Sequence, residues 1–318
     1  MRYSQQIIDK ITQLELICGQ DVGRGIQPLV KAAKGGLLGA VCSLCQHLQP
    51  HVVIITGFYL PHGDLPAAET DGIIGSVQLA AALLRVGVMV RIVTDSLCFP
   101  AVRSAALAAV MPFQINPSHL NFDIVPINPN GSDEKVVSLL NSWESLPIPV
   151  THVISIERPG PSRDGIIRNM RGQDISPYTA PLHLLFNSIH NSSPITYIGI
   201  GDGGNELGMG KIPRNIIYDN IRHGEKIACV TSCDYLIVCG VSNWGGTALL
   251  VALALVNSQW KAEIREQLNL EIELNILDTI VSNKLAVDGV TGKATLSVDN
   301  LPWHYHADVF DKLNKLID

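Results

Sequence analysis

The segment I-T-Y-I-G-I-G-D-G-G-N-E-L-G-M-G, residues 195–210, joins an apolar run to a loop rich in glycine. Residues 195–200 predict a buried strand. Six glycines from Gly199 to Gly210 then surround the polar side chains of Asp202, Asn205 and Glu206. Glycine permits tight turns and lets the backbone approach a ligand closely, while the acids supply negative charge. A strand, a glycine loop and then a helix are typical of ligand sites in α/β proteins, so we interpret this segment as one wall of an active site.

Further apolar runs predict five more strands, with helix-like segments between and after them. We expect strands at 52–56, 88–94, 122–127, 152–156 and 235–239, and helices at 73–85, 101–109, 134–142, 180–188, 247–257, 261–268 and 274–285. Ser132 or Asp133 would cap the third helix. This alternation predicts an α/β fold, a doubly wound and mostly parallel sheet with helices on both faces. We predict a single domain over 1–318 and leave a smaller subdomain at 162–181 open.

The composition excludes several classes of protein. Hydrophobic residues make up 47% of 318 positions, and the net charge is −6 without a basic block, so we expect no nucleic-acid partner. No apolar run reaches the roughly 18 residues of a membrane span, and the first residues resemble neither a secretory signal nor a transit peptide. Most of the seven cysteines lie in apolar runs, which favours reduced thiols. We therefore expect a cytoplasmic protein with no membrane association, and we leave a homo-oligomer open.

Polar residues and glycines follow the carboxyl ends of most predicted strands, where α/β sheets bind their ligands. Asp71 lies in E-T-D-G after the first strand, Arg158 and Asp164 follow the fourth, and Asn243 lies in a loop after the sixth. Loops of any globular protein are polar, but the repeated pairing of glycine with acid favours a shared cleft.

Two acids of the glycine-rich loop at 201–210 suggest a cation site. Asp202 and Glu206 are four positions apart and would share one face of a helix that begins near Gly203. Together with Asp71 they form a candidate Mg²⁺ or Mn²⁺ site, because these ions prefer carboxylate oxygens. The alternative is that Asp202 only caps the helix.

Three arginines, Arg24, Arg158 and Arg163, are candidates for binding a carboxylate of an acidic substrate, although each can instead pair with a neighbouring acid. The pattern Gly199-x-Gly201-x-x-Gly204 also matches the dinucleotide fingerprint. It follows a late strand, however, and its acids would repel a pyrophosphate. A nucleotide-binding α/β enzyme is therefore an alternative interpretation of the function, and an amino-acid-binding or sensor protein without turnover is another.

Several of these segments together resemble a known family. E-T-D-G at 69–72, G-D-G-G-N-E-L-G-M-G at 201–210, S-N-W-G at 242–245 and D-G-V-T-G at 288–292 are similar to the D-glutamate cyclase catalytic domain, as is D-V-G-R-G-I at 21–26. The resemblance implies a lyase of D-amino acid metabolism that cyclises D-glutamate to 5-oxo-D-proline with loss of water. It also implies a divalent cation, Mg²⁺ or Mn²⁺.

The implied reaction leads to a hypothesis for each candidate residue. A metal held by Asp71, Asp202 and Glu206 would polarise the γ-carboxylate, and Asp164 or Glu206 would act as base and acid. Backbone N–H groups of Gly203, Gly204 and Asn205 would stabilise the tetrahedral intermediate. Arg24, Arg158 or Arg163 would anchor the α-carboxylate, and Asn243 would orient the amine.

Overall fold

The apolar runs of the sequence form one parallel sheet. The computed structural model describes residues 3–127, 133–186 and 195–318. Strands of the described residues are β1 (His51–Thr56), β2 (Tyr59–Leu60), β3 (Ala67–Glu69), β4 (Met89–Asp95), β5 (Asn121–Val125), β6 (His152–Ile156), β7 (Thr196–Gly201), β8 (Tyr235–Val238), β9 (Ala286–Val287), β10 (Ser297–Val298) and β11 (Leu301–Pro302). The large sheet has six strands in the order β5-β4-β1-β6-β7-β8, and every neighbouring pair is parallel. The six predicted strands and the parallel sheet are confirmed.

Helices cover both faces of this sheet. The described helices are α1 (Gln5–Cys18), α2 (Gln27–Ala32), α3 (Gly36–Gln46), α4 (Ile73–Arg85), α5 (Phe99–Val110), α6 (Glu134–Glu144), α7 (His183–Phe186), α8 (Arg214–Asn220), α9 (Gly224–Ile227), α10 (Ser242–Val256), α11 (Lys261–Gln267), α12 (Leu270–Ser282) and α13 (Trp303–Asn314). Val52 and Ile54 of β1 belong to the core under α1, α3–α5 and α10–α13, whereas Val53 and Ile55 belong to the core under α2 and α6–α9. Alternate residues of a strand point to opposite faces, so a wholly apolar strand supplies two cores.

Helix α10 begins five residues earlier than predicted, at Ser242. The sequence S-N-W-G-G suggests a loop because it is polar and contains two glycines. In the structure these glycines permit close helix contact: a Cβ added to Gly246 would lie 3.0 Å from Cα of Gly75 in α4. Residues 242–246 are therefore the first turns of a buried helix, and the prediction that Asn243 lies in a loop is wrong.

One other local prediction is also wrong. No helix begins near Gly203: residues 202–210 form turns and isolated bridges, and the next helix, α8, begins at Arg214. Gly204 and Gly208 have φ of +96° and +102°, values that interrupt a helix.

The remaining predictions are placed as follows. Helix 134–142 is confirmed as α6, while Ser132 and the end of the predicted helix 180–188 lie outside the described residues. The candidate subdomain at 162–181 contains short bridges and a 3₁₀ turn, and Ile167 and Ile175 pack on Phe58. All seven cysteines are free. Within the described part of the chain, no helix has both the length and the apolar character needed to cross a bilayer.

Candidate active site

A cavity of about 520 Å³ opens at the carboxyl ends of the parallel strands. Phe58, just after β1, and Glu157, just after β6, both line it. The chain winds from β1 toward β5 on one side of the sheet and then crosses to β6–β8 on the other. The order of the strands thus reverses between β1 and β6, which is where open α/β sheets bind their ligands. The turns that connect β2 with β3 and β9 with β10 provide the outer wall.

The floor of the cavity holds a group of acidic side chains that we call the carboxylate cluster. It comprises six buried or nearly buried carboxyl groups: Glu69, Asp71, Glu157, Asp202, Glu206 and Asp299. Oxygens of Asp71, Asp202 and Asp299 lie within 4.8 Å of one another, and so do those of Glu157, Asp202 and Glu206. Asp202 belongs to both sets, so the glycine loop that follows β7 contributes the centre of the cluster.

Burial favours the protonated forms of five of these acids. Desolvation raises the pKa of Glu69, Glu157 and Asp202 well above the ordinary values, and nearby carboxylates raise it further. The neighbouring Arg24 guanidinium opposes this rise at Asp202. Burial also raises the pKa of Asp71 to about 7, although three backbone N–H groups stabilise its charged form. Carboxyl groups whose pKa is raised above the ordinary value suit proton transfer.

Glu206 is held by the glycines of its own loop. Its two carboxylate oxygens accept hydrogen bonds from the N–H groups of Gly203 at 2.7 Å and Gly204 at 2.8 Å. The loop bends back because Gly204 has a positive φ. These two N–H groups, which were predicted together with that of Asn205 to stabilise an intermediate, donate to Glu206 instead. The glycine loop therefore positions a carboxylate.

Asp71 caps helix α10 from a distant part of the chain. Its oxygens accept from the N–H groups of Ser242 at 2.8 Å and Asn243 at 2.9 Å, and from that of Gly72 at 2.8 Å. Gly72 has φ of +77°, and a Cβ there would lie 2.3 Å from Cβ of Glu157. Glycine is therefore required for Asp71 and Glu157 to approach each other.

Glu157 adopts a left-handed backbone with φ of +48°. Such a conformation is uncommon for a residue other than glycine and occurs frequently at functional sites. Its N–H donates to the carbonyl of Ile200 at 3.1 Å, and its carboxylate accepts from the Ser242 hydroxyl at 2.5 Å. These bonds fix the Glu157 carboxyl group at the cavity wall.

Arg24 is the cation that reaches the carboxylate cluster. Its guanidinium contacts Asp202 through Nη1 and Asp299 through Nη2, the latter at 2.8 Å. Asp21 holds the loop by accepting from the N–H groups of Gly23, Arg24 and Gly25. The D-V-G-R-G segment thus carries one positive charge to the acidic floor of the cavity.

Further cations line the outer part of the cavity. Arg171, Arg222 and Lys293 are exposed side chains on its wall. Arg171 donates to the carbonyl of Val290 at 3.0 Å, and none of the three forms a salt bridge with another described residue. The cavity therefore has an acidic floor and a basic rim.

The side chains of four predicted site residues bind outside the carboxylate cluster. Arg158 is fully buried and donates to Asp95 at 2.6 Å, to Gly57 and to Ala180. Asp164 is exposed and pairs with Arg168, and Arg163 is exposed. Asn243 donates to Thr70 and accepts from the Gly75 N–H, which joins α10 to α4. The structure thus brings together Asp71, Asp202, Glu206 and Arg24, whereas Arg158, Asp164 and Arg163 lie elsewhere and Asn243 reaches the cluster only through its backbone N–H.

Sequence reasoning gave no role to three members of the cluster. Glu69 ends β3 and Glu157 follows β6, and these positions at strand ends could have indicated a role in the site. Asp299 lies in a turn-rich tail with φ of +55°. The loop that brings it to the cavity is held together by Asp288. The Asp288 carboxylate accepts from the backbone N–H groups of Val290, Thr291 and Asn300 and from the Ser297 hydroxyl. The local sequence of Asp299 gives no indication of its place in the site.

Comparison with known proteins assigns the chain to a family. The family model described as "D-glutamate cyclase-like, C-terminal" matches residues 14–314. The chain belongs to this family. It is 33% identical over 328 residues to the human protein named "D-glutamate cyclase, mitochondrial". That alignment covers 96% of this chain and 51% of the human protein, so the chain spans about half the length of this cyclase relative.

Proposed function

We propose that this chain is a lyase that cyclises D-glutamate to 5-oxo-D-proline with the loss of water. The observation that carries the proposal is the carboxylate cluster at the floor of a cavity with a basic rim, in a member of a D-glutamate cyclase-like family. An amino dicarboxylate has one cationic and two anionic groups. The acidic floor complements the amine, and the basic rim and Arg24 complement the two carboxylates.

The reaction requires proton transfers that the cluster is suited to perform. The α-ammonium group must lose two protons as its nitrogen forms a bond to the γ-carbon, and one γ-oxygen must gain two protons to leave as water. A carboxylate close to the amine serves as the base, and a protonated carboxyl group close to the departing oxygen serves as the acid. A buried cluster that shares protons can hold both forms at once.

We assign the proton transfers to Glu157 and Glu69, because both line the cavity and burial raises the pKa of both. Ser242 orients Glu157 through its 2.5 Å hydrogen bond. Glu206, fixed by two glycine N–H groups, lies beside Glu157 and Asp202. Asp164 has no part in this scheme because it is exposed and paired with Arg168.

The basic rim would hold the substrate's α-carboxylate. Arg222 and Lys293 have no ion-pair partner within the described ranges, so binding a carboxylate breaks no existing salt bridge. An α-carboxylate at the rim directs the amine and the γ-carboxylate toward the floor. This arrangement replaces the predicted anchoring by Arg158 or Arg163.

A divalent cation, Mg²⁺ or Mn²⁺, fits the donors of the cluster. All are carboxylate oxygens, which these ions prefer. Buried Glu69 Oε1 and Asp299 Oδ2 have no hydrogen-bond partner among the described residues. Asp71, Asp202 and Asp299 would hold the ion, with Glu157 and Glu206 close by. When bound, it would polarise a carboxyl group and stabilise negative charge.

The experiment that tests the function is a product assay with chiral analysis. The purified chain is incubated with D- or L-glutamate, with EDTA or Mn²⁺, and 5-oxoproline is measured. We expect product from D-glutamate that depends on the cation. Glu157→Gln should reduce turnover by about 10²-fold or more, whereas Glu134→Gln, an exposed change in α6, should not.

A chain that binds D-glutamate but forms no product under any of these conditions would contradict the proposal and favour an amino-acid-binding protein. The cytoplasmic location, the absence of a nucleic-acid partner and the oligomeric state stay predictions from the composition.

A further inference from the structure

Arg24 and a divalent cation would need the same two carboxylates. Arg24 pairs with Asp202 and Asp299, whose side chains are 4% and 5% exposed. The same two residues form, with Asp71, the set of oxygens within 4.8 Å of one another. Because two cations at one small site repel each other, the guanidinium must give up part of its contact when a divalent ion binds.

The surroundings of Arg24 allow its side chain to move while its backbone stays in place. Asp21 accepts from the backbone N–H groups on both sides of Arg24, which fixes the loop. The side chain is 19% exposed and lines the cavity, so it can turn toward the rim without crossing packed core. Asp299 Oδ2 is buried without a hydrogen-bond partner among the described residues, which leaves one acceptor available for an additional cation.

We propose that Arg24 is an internal counter-ion that couples cation binding to substrate binding. Without a divalent cation it neutralises Asp202 and Asp299. When the cation binds these carboxylates, the guanidinium is released and pairs with a carboxylate of the substrate. The inference rests on the proposed function for the identity of the substrate, and it adds that each ligand increases the affinity for the other.

The test is Arg24→Gln, examined by ligand binding. Mn²⁺ binding is followed by the electron paramagnetic resonance signal of the free ion. The substrate probe is glutarate, which carries two carboxylates but no amine and cannot cyclise. We expect Arg24→Gln to bind Mn²⁺ about tenfold more tightly and, at saturating Mn²⁺, to bind glutarate about tenfold more weakly, within the usual range of coupling between sites. Arg103→Gln, an exposed change in α5 away from the cavity, should alter neither affinity.

Opposite effects on the two ligands distinguish this role from a structural one. A variant that weakens both ligands, or leaves the Mn²⁺ affinity unchanged, would overturn the proposal, as would the absence of Mn²⁺ binding in both proteins. Arg24→Lys provides a second variant that keeps the charge: we expect it to retain the coupling in weakened form. Turnover of D-glutamate is measured separately, so a chain with this coupling and no turnover refutes the reaction while supporting the role of Arg24.

Discussion

The carboxylate of Asp71 accepts a 2.8 Å hydrogen bond from the backbone N–H of Ser242 and thereby caps a helix that begins 171 positions later in the chain. Val241, which precedes this helix, offers no side-chain cap of its own. The first turn of α10 is buried, so its N–H groups cannot turn to water instead. The acidic cluster therefore contributes to the stability of the fold as well as to the chemistry of the site.

Replacing Asp71 with Ala should lower the free energy of unfolding by about 1–2 kcal/mol, the usual cost of losing a helix cap. Asp71→Asn should cost less because the amide oxygen still accepts one of these bonds. Urea denaturation measures both variants. Asp64→Asn, an exposed change on the cavity wall, serves as the control. Equal stability of Asp71→Ala and the unchanged chain would show that the cap contributes little.

The sheet was predictable from the sequence, because continuous apolar strands such as His51–Thr56 follow from burial on both faces. The site was only partly predictable. Asp202, Glu206 and Asp71 share short motifs with glycine, whereas Asp299 reaches them through a left-handed turn far along the chain. The roles of Ser242–Gly246 and Arg158 depend on which elements pack against them. A local pattern cannot reveal such contacts.

Arg158→Met should lower the free energy of unfolding by about 3–5 kcal/mol, since it leaves the buried Asp95 carboxylate without its ion-pair partner. The guanidinium also donates to the carbonyl of Gly57, just after β1, at 2.7 Å and to that of Ala180 at 2.8 Å, so it joins these two loops. Chemical denaturation gives the loss, and the double variant Arg158→Met with Asp95→Leu should recover part of it. A stable Arg158→Met protein with weakened substrate binding would instead favour the role expected from sequence.

Arg222→Gln should raise KM for D-glutamate about tenfold and leave kcat nearly unchanged, because it removes a charge that binds the substrate before and during reaction alike. Arg163→Gln provides a matched comparison, since Arg163 is exposed but does not line the cavity. Steady-state kinetics of both variants decides between the arginine of the basic rim and the one predicted from sequence. A higher KM in Arg163→Gln alone would show that the substrate binds elsewhere.

Glu273 should make the protein less stable as pH rises, for a reason unrelated to the active site. This side chain lies buried in α12, and burial raises its pKa to about 8. The folded state therefore holds a proton that the unfolded state loses near pH 4.5, so stability falls between these two values and levels off above about pH 8. Glu273→Gln should make the fall of melting temperature with pH less steep over this range, and the buried acids of the carboxylate cluster, whose pKa is also raised, should keep part of the slope. Glu271→Gln, an exposed change two residues away, should keep the slope of the unchanged chain; an identical slope in both variants would show that Glu273 does not titrate within the range.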